Sequence, residues 1–346
     1  MNGQSHAATP CRISFAGGGT DVSPFPETYG GEVVNATISV QMRATLRLRT
    51  DRRAIIRTNR RPEALVYDDL RTWQFDGQLD FIKAITRKVH PCDIGFELSL
   101  QSAVPNRGGL GGSAAMAVAV LGAFNYFRLG RYYTPRELAE TAHIIEVEDM
   151  GNPGGRQDQY AAALGGFNYM RFGGGANVDV RPLRLSAGSA GLNDLSGGMF
   201  LVSLGRRPLP SGAINGQVSK DMKDGNGTLA ALQETKALVP QMVAALEQCD
   251  ICQVGQLLDA LWIIKKRFHP GVSNDRIDGI YDTLREAGML GGKVTGAGGG
   301  GHMLVCFNRE DRVRMIRTAA DLGLPILPFV FTTDGLQMRA EPAVSD

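Results

Sequence analysis

Apolar and polar positions along the chain predict a strand-rich opening, a helical middle and a second half in which helices and strands are mixed. Residues 12–16 (RISFA) read as a strand closed by a Gly17-Gly18-Gly19 turn, and 31–48 carries Val33, Val34, Ile38 and Val40 in β-branched runs. Residues 96–104 (FELSLQSAV) alternate with a period of two, and Pro105 stops them before a glycine loop. The following stretch, 114–127, is alanine-rich and apolar nearly all round, the pattern of a buried helix. Thr134-Pro135-Arg136-Glu137 has the form of a capping box with proline at the first helical position, so a second helix is expected from there to about Glu148. Glycines at 151–155 break it, and a third helix runs from about Arg156 to Gly165-Gly166.

A Gly/Ser/Asn-rich zone at 185–198 (LSAGSAGLNDLSGG) is the candidate domain boundary. Beyond it the pattern predicts a strand at 199–204, helices at 229–246, 254–267 and 277–287, and a glycine loop at 291–301. A strand at 302–307, a helix at 310–320 and a last strand at 326–332 complete it. At 346 residues the chain exceeds twice a typical domain of about 150, and the expectation is an α+β protein of two domains, 1–190 and 191–346.

Apolar residues make up 43% and charged residues 21%, with no run near the roughly 18 uncharged apolar residues of a membrane span, so a membrane protein is excluded. Thirty-seven basic residues face 35 acidic ones without a sizeable block of either sign, which argues against a nucleic-acid partner. The first ten residues lack the basic and apolar regions of a signal peptide, and a cytoplasmic location is expected. Cysteines 11, 92, 249, 252 and 306 are odd in number and make no disulfide framework; Cys249-Asp-Ile-Cys252 is a lone CxxC that reads as helix packing.

Glycine is the unusual quantity: 44 residues, gathered into clusters. Three stand out: Gly17-Gly18-Gly19-Thr20-Asp21, PNRGGLGGSAA from Pro105 to Ala115, and KVTGAGGGG from Lys293 to Gly301. The central cluster contains Gly109-x-Gly111-x-x-Ala114 between a strand and a helix, a weak match to a dinucleotide fingerprint, since the next acidic residue, Glu137, comes too late for a ribose contact. No Gly-Lys followed by Ser or Thr is present, so a P-loop is absent. What the cluster does supply is a set of backbone N–H groups at a helix N-terminus, a seat for phosphate. Ser113 adds a hydroxyl there, either for the ligand or as an ordinary helix cap.

The three clusters, in this order, resemble the three motifs of the GHMP small-molecule kinases, which include galactokinase, homoserine kinase and mevalonate kinase. The likeness spans about residues 10–335, with Gly112 standing where many members have the first of two serines. It implies an N-terminal half of the ribosomal S5 domain 2-like type and a ferredoxin-like C-terminal half, with ATP and Mg²⁺ between them. It also implies that Pro105, Gly108, Gly109, Leu110, Gly111, Gly112, Ser113 and Ala114 hold the nucleotide. Gly18, Gly19, Thr20 and Asp21, with Gly298 and Gly299 of the closing loop, are implied to hold the acceptor.

Phosphoryl transfer needs a metal across the phosphates, a cation near the developing charge and a group that orients or deprotonates the attacking hydroxyl. The resemblance assigns Asp158 as catalytic base, Arg12 as its basic partner, and Glu146 with Ser113 as Mg²⁺ ligands. Asp158 could also be a simple helix N-terminal acid. Glu146 falls beside an apolar stripe of Leu138, Ala142 and Ile145, where a carboxylate calls for a cation. Glu148, two residues on, stays open as the alternative ligand.

Within the family, RISFAGGGTD and GGRQDQYAAALGGFN most resemble the heptose kinases, with the fucokinases as neighbours. That implies transfer to the C1 hydroxyl of a mannoheptose 7-phosphate, in making nucleotide-activated heptose for capsule or lipopolysaccharide. A sugar 1-kinase acting on an unphosphorylated sugar and a non-catalytic sugar sensor are the rivals, and a homo-oligomer is left open. An acceptor that already carries phosphate needs a second basic cluster, for which Arg206-Arg207, Lys265-Lys266-Arg267 and Arg156 are candidates. Tyr67 and Trp73 are candidates to stack on the base, or else ordinary core.

Overall fold

The computed structural model describes residues 3–90, 94–105, 107–127, 132–174, 177–186, 188–225 and 227–341. Cys92, Asn106 of the central glycine cluster, and Ala187 of the 185–198 zone lie outside them.

The first sheet is built on β1 (Gln4–Ala16) and β2 (Gly31–Leu48), joined by the glycine turn and a short helix, α1 (Phe25–Tyr29). The sheet continues through β3 (Ala54–Thr58), β4 (Leu65–Tyr67), β5 (Phe96–Ser102), β6 (Phe167–Phe172) and β7 (Val178–Pro182). β2 is long enough to serve two partners: Met42–Leu48 pairs antiparallel with β5, while Gly31–Ala36 pairs antiparallel with β6. Pro10, which cannot donate to a ladder, falls at a register shift between β1 and β2.

Against this sheet lie α3 (Gly112–Asn125) and α5 (Gln157–Leu164), with α2 (Asp80–Val89) packed on α3 and α4 (Pro135–Ile144) packed on both. The run Ala117–Asn125 of α3 is buried on every side, as its composition predicts, because the helix packs over β1 and β2 with α4 and α5 around it. The capping box at Thr134 forms, with Glu137 N donating to the Thr134 hydroxyl and the Glu137 carboxylate receiving the Thr134 N–H. The helix does not reach Glu148 as a regular α-helix: after Ile144 it widens into a π-turn, Ile145–Asp149. Such turns are frequent at functional sites.

The second half holds α6 (Gly188–Gly197), β8 (Met199–Gly205), α7 (Ser211–Lys223), α8 (Thr228–Ala237), α9 (Val239–Glu247), α10 (Ile251–Lys266) and α11 (Asp275–Glu286). It closes with β9 (Met289–Val294), β10 (Gly301–Phe307), α12 (Arg312–Asp321), β11 (Ile326–Leu327) and β12 (Gln337–Glu341). Strands β8 to β11 form an antiparallel sheet in the order β11-β8-β10-β9. With the first sheet this gives a two-part α+β architecture, the one the resemblance implies.

Four expectations change. The 185–198 zone is mostly helix, and Leu195 within it is buried in the same apolar cluster as Phe15. The helix expected at 229–246 is two, because Pro240 has no N–H for the preceding turn and starts α9 afresh. Gly291 and Gly292 belong to β9 rather than to a loop, and a Cβ on Gly291 would come within 2.0 Å of the Gly255 carbonyl, so glycine lets α10 lie on the sheet. The last strand stops at Leu327; Phe331 then makes a single bridge to Ile38, and β12 returns to pair with β1 in the first sheet. Among the described residues no helix is long and apolar enough to cross a membrane.

Candidate active site

Between the two sheets opens a cavity of about 750 Å³. Its floor is the central glycine loop, where Pro105 and every residue from Gly108 to Ala114 reach the cavity. The loop's shape depends on glycine at two points. Gly109 has φ +79° and a Cβ there would come 2.6 Å from the Thr295 carbonyl, while Gly111, with φ +72°, is the N-cap of α3. No side chain caps α3, so its first N–H groups are open and Ser113, exposed and facing the cavity, is not the helix cap. His302 of β10 holds the loop from the other sheet through Nδ1 and the Gly108 carbonyl, 2.8 Å apart.

Arg12 and Asp158, 146 residues apart in sequence, meet over this loop. Arg12 is 4% exposed; its Nε and Nη2 both lie 2.7 Å from Asp158 Oδ1, and Nη1 donates to the Gly109 carbonyl at 2.9 Å. The other carboxylate oxygen, Asp158 Oδ2, carries no hydrogen bond among the described residues, and Asp158 lines the cavity from the first turn of α5. A charged pair with one oxygen clamped leaves the second free for a ligand proton.

Two further carboxylates flank the pair. Asp21 is 2% exposed and accepts from the Gln157 backbone N–H and side-chain amide at 3.2 and 3.1 Å. Burial pushes its carboxyl above the ordinary value, and the Asp158 charge adds to the shift. Glu146, carried by the π-turn, accepts from Asn152 Nδ2 at 2.9 Å and Gln159 Nε2 at 2.8 Å. Burial, reinforced by Asp158, raises its pKa to about 7. Glu148 is exposed and lies off the cavity wall, so of the two glutamates only Glu146 faces the site.

From the second sheet come buried cations. Lys293 of β9 is 5% exposed and donates to the Phe15 carbonyl at 3.1 Å; burial, then Arg12, lowers its pKa to about 7. Lys265 at the end of α10 donates to the carbonyls of Val294 and Gly296. Arg206 and Arg207 follow β8, also on the cavity wall.

Several residues that the sequence nominates for the site stand elsewhere, and the geometry gives the reasons. Thr20 is fully buried; its hydroxyl proton is shared between the carbonyls of Gly17 and Glu32, 2.8 and 2.9 Å away, and its oxygen accepts from Glu32 N at 3.0 Å, so it staples the turn and offers nothing to an acceptor. Gly18, Gly19 and Asp21 do line the cavity. Gly298 and Gly299 do not: they pack on Val272, whose carbonyl accepts from Gly299 N at 2.7 Å, and the loop meets the cavity through Gly296 and Ala297 instead. Tyr67 and Trp73 stack edge-on with each other away from the cavity, and Trp73 is 4% exposed, hence core. Leu79, Phe81, Asn152, Gln159 and α7 are at the site without any mark in the sequence, because each is an ordinary residue or segment placed by the fold.

Residues 79–166 match the GHMP kinases N terminal domain and 242–322 the GHMP kinases C terminal domain. A curated protein of Campylobacter jejuni, D-glycero-alpha-D-manno-heptose 7-phosphate kinase, is 33% identical over 95% of this chain and 97% of its own. The chain belongs to the GHMP kinases. Among solved structures, a D-glycero-D-manno-heptose 1-phosphate kinase from Bacteroides thetaiotaomicron superposes with a TM-score of 0.78 at 27% identity, over 97% of this chain and 98% of that one. A sugar kinase from Campylobacter jejuni, described as putative in its own right, gives 0.77 at 31% identity over 98% of both chains. In this GHMP kinase the central glycine loop and the open end of α3 lie inside the N-terminal match.

Proposed function

We propose that this GHMP kinase transfers the γ-phosphoryl group of ATP to the C1 hydroxyl of D-glycero-D-manno-heptose 7-phosphate, giving the 1,7-bisphosphate on the way to nucleotide-activated heptose for capsule or lipopolysaccharide. The chain is a sugar kinase, and its family uses ATP as phosphate donor. The Arg12–Asp158 pair over the glycine loop carries the mechanistic reading. Asp158 Oδ2 takes the proton as the C1 oxygen bonds to the γ-phosphorus and the bond from that phosphorus to the β,γ-bridging oxygen breaks, releasing ADP. Arg12 fixes the carboxylate through Oδ1 and puts a positive charge beside the transferring group. Asp21, Gly18 and Gly19 orient the sugar.

Mg²⁺ fits the donor set. The Glu146 carboxylate and the Ser113 hydroxyl both line the cavity, and hard oxygen ligands of this kind suit an ion shared with the phosphates of its nucleotide. Glu146 and Ser113 are the residues that would hold it, and bound there it would neutralise phosphate charge. The division at about residue 190 into an ATP-binding N-terminal domain and a C-terminal domain, and a cytoplasmic setting, belong to the same proposal.

The test is ATP consumption with Mg²⁺ over mannoheptose 7-phosphate, sedoheptulose 7-phosphate, mannose, fucose, galactose, homoserine and mevalonate, with the product examined by ³¹P NMR. The expected outcome is turnover confined to the heptose phosphate and a new phosphate on C1. Turnover of a free sugar alone moves the substrate to the fucokinase branch, and binding without turnover makes the protein a sensor.

A further inference from the structure

A phosphorylated acceptor needs a cationic seat separate from the nucleotide loop, and the candidate basic residues differ sharply in whether they are free to provide one. Lys266 pairs with Asp278, Arg267 makes two bonds to Glu234, and Arg156 pairs with Glu140. Lys265 is directed to two backbone carbonyls. Arg206 and Arg207 have no carboxylate partner among the described residues, and both line the cavity.

Arg207 is the unusual one. It is 2% exposed, its Nε donates to the Leu209 carbonyl at 2.8 Å and its Nη2 to the Ser211 hydroxyl, yet Nη1 is buried with no hydrogen-bond partner among the described residues. The charges that bear on it are those of Arg107 and Arg12, both positive. A buried guanidinium with an open N–H among like charges is costly unless an anion completes it. Residues 208–210 lead directly from it into α7, a helix of 13 residues whose N-cap, Pro210, gives no side-chain bond to its first turn.

We propose that Arg206, Arg207, Ser211 and the first turn of α7 together seat the phosphate that the sugar already carries. This rests on the reading of the chain as a sugar-phosphate kinase and names the part of the site that recognises the phosphate. The side of the cavity follows from what α7 touches. Asn215 Nδ2 donates to the Pro153 carbonyl at 3.3 Å and the Ser219 hydroxyl to the Ser23 carbonyl at 2.9 Å, tying the helix to the loops that carry Asp21 and Gln157. Gly212 permits the approach, since a Cβ there would come 1.8 Å from Asn152 Oδ1. The apolar end of the cavity, with Leu79, Phe81, Leu100 and Val104, belongs to the first half of the chain and suits the base of the nucleotide. An acceptor reaching from Asp158 along α7 thus ends at Arg206 and Arg207.

Calorimetry without ATP tests this on the full chain, with mannoheptose 7-phosphate, unphosphorylated mannoheptose and a non-hydrolysable ATP analogue as probes. The wild type is expected to bind the 7-phosphate at least tenfold more tightly than the free heptose. Arg206→Ala, an exposed position, and Ser211→Ala should each weaken the 7-phosphate about fivefold or more and Arg207→Lys tenfold or more, with affinity for the ATP analogue kept within twofold. Weakening of the ATP analogue instead would assign the arginines to the nucleotide's phosphates and overturn the proposal. Unchanged 7-phosphate affinity in Arg206→Ala and Ser211→Ala, or no preference of the wild type for the phosphorylated sugar, would overturn it equally. Phosphate-dependent binding with no C1-phosphorylated product by ³¹P NMR would leave this seat standing and remove the proposed reaction.

Discussion

The two walls of the cavity hold opposite charge, and they hold it by different means. On the first wall, Glu146 and Asp158 are gripped by side chains, Asn152 and Gln159 on Glu146 and Arg12 on Asp158, while Asp21 is held by the Gln157 side-chain amide together with the backbone N–H groups of Gln157 and Gly19. On the second, Lys293, Lys265 and Arg207 are gripped mainly by backbone carbonyls, of Phe15, Val294, Gly296 and Leu209. Side-chain donors fix where a carboxylate's lone pairs point, as proton transfer requires. Carbonyls orient a cation without neutralising it, so the charge of Arg207, which an arginine keeps at all ordinary pH, stays available to phosphate, while burial lowers the basicity of Lys265 and Lys293. A chain of net charge +2 therefore hides a strongly polarised site, with acids where the hydroxyl reacts and cations where anions come to rest.

The hardest blow to the first wall is Asp158→Asn. The amide keeps a polar group beside Arg12 but accepts no proton, so kcat should fall on the order of 10³-fold. Rapid-quench single turnovers at saturating ATP measure it, and a loss of less than tenfold would take Asp158 out of the role of base.

Glu146→Gln comes next, and pH sharpens it. With a folded pKa of about 7 against an ordinary value near 4.3, Glu146 holds its proton in the folded state across that interval. Its contribution to stability therefore declines as pH rises from about 4.5 to 7, because the unfolded chain gives up the proton first. A cation at the site must displace the same proton, so the Mg²⁺ concentration needed for half-maximal activity should rise up to tenfold per pH unit below about 7. In Glu146→Gln that requirement should rise roughly 10- to 100-fold and lose its Glu146-linked dependence on pH. Mg²⁺ titrations of activity at pH 6 and pH 8 decide it; identical curves for variant and wild type would exclude Glu146 as a ligand.

How much of this is legible in the sequence depends on whether backbone or side chain does the work. The glycine loops are visible because a backbone site excludes Cβ atoms and leaves glycine behind, as at Gly109 and Gly111. The capped helix at Thr134 and the buried α3 are visible because caps and periodicity are local. The Arg12–Asp158 pair spans 146 residues and is reached only through the family resemblance. The π-turn that turns Glu146 rather than Glu148 inward has no sequence mark, since a shift from one helical period to another is settled by packing. Thr20 misleads for a related reason: its position in a glycine motif suggests a ligand, while its hydroxyl is needed by the backbone of Gly17 and Glu32. Helix α7 escapes notice because SGAINGQVSK is polar and glycine-containing, and tertiary contacts place it: its packing on α8 and its bonds to Pro153 and Ser23.

The mildest test falls on the second wall. Lys293→Met removes a buried ammonium and leaves the Phe15 carbonyl without that donor, a loss of about 1–3 kcal/mol. Against this, the folded protein no longer has to keep an ammonium buried beside Arg12, so near neutral pH the net change should be small. The pH profile separates the two effects. Lys293 titrates at about 7 in the fold and near 10.4 when unfolded, so between those values the unfolded chain binds the extra proton and this residue makes stability rise with pH, by about 1.4 kcal/mol per unit. Urea melts from pH 7 to pH 10 should show that rise in the wild type and its flattening in Lys293→Met. Parallel profiles would mean that Lys293 keeps its ordinary basicity, and the second wall would then carry about half a charge more at pH 7 than a lysine titrating at about 7 supplies.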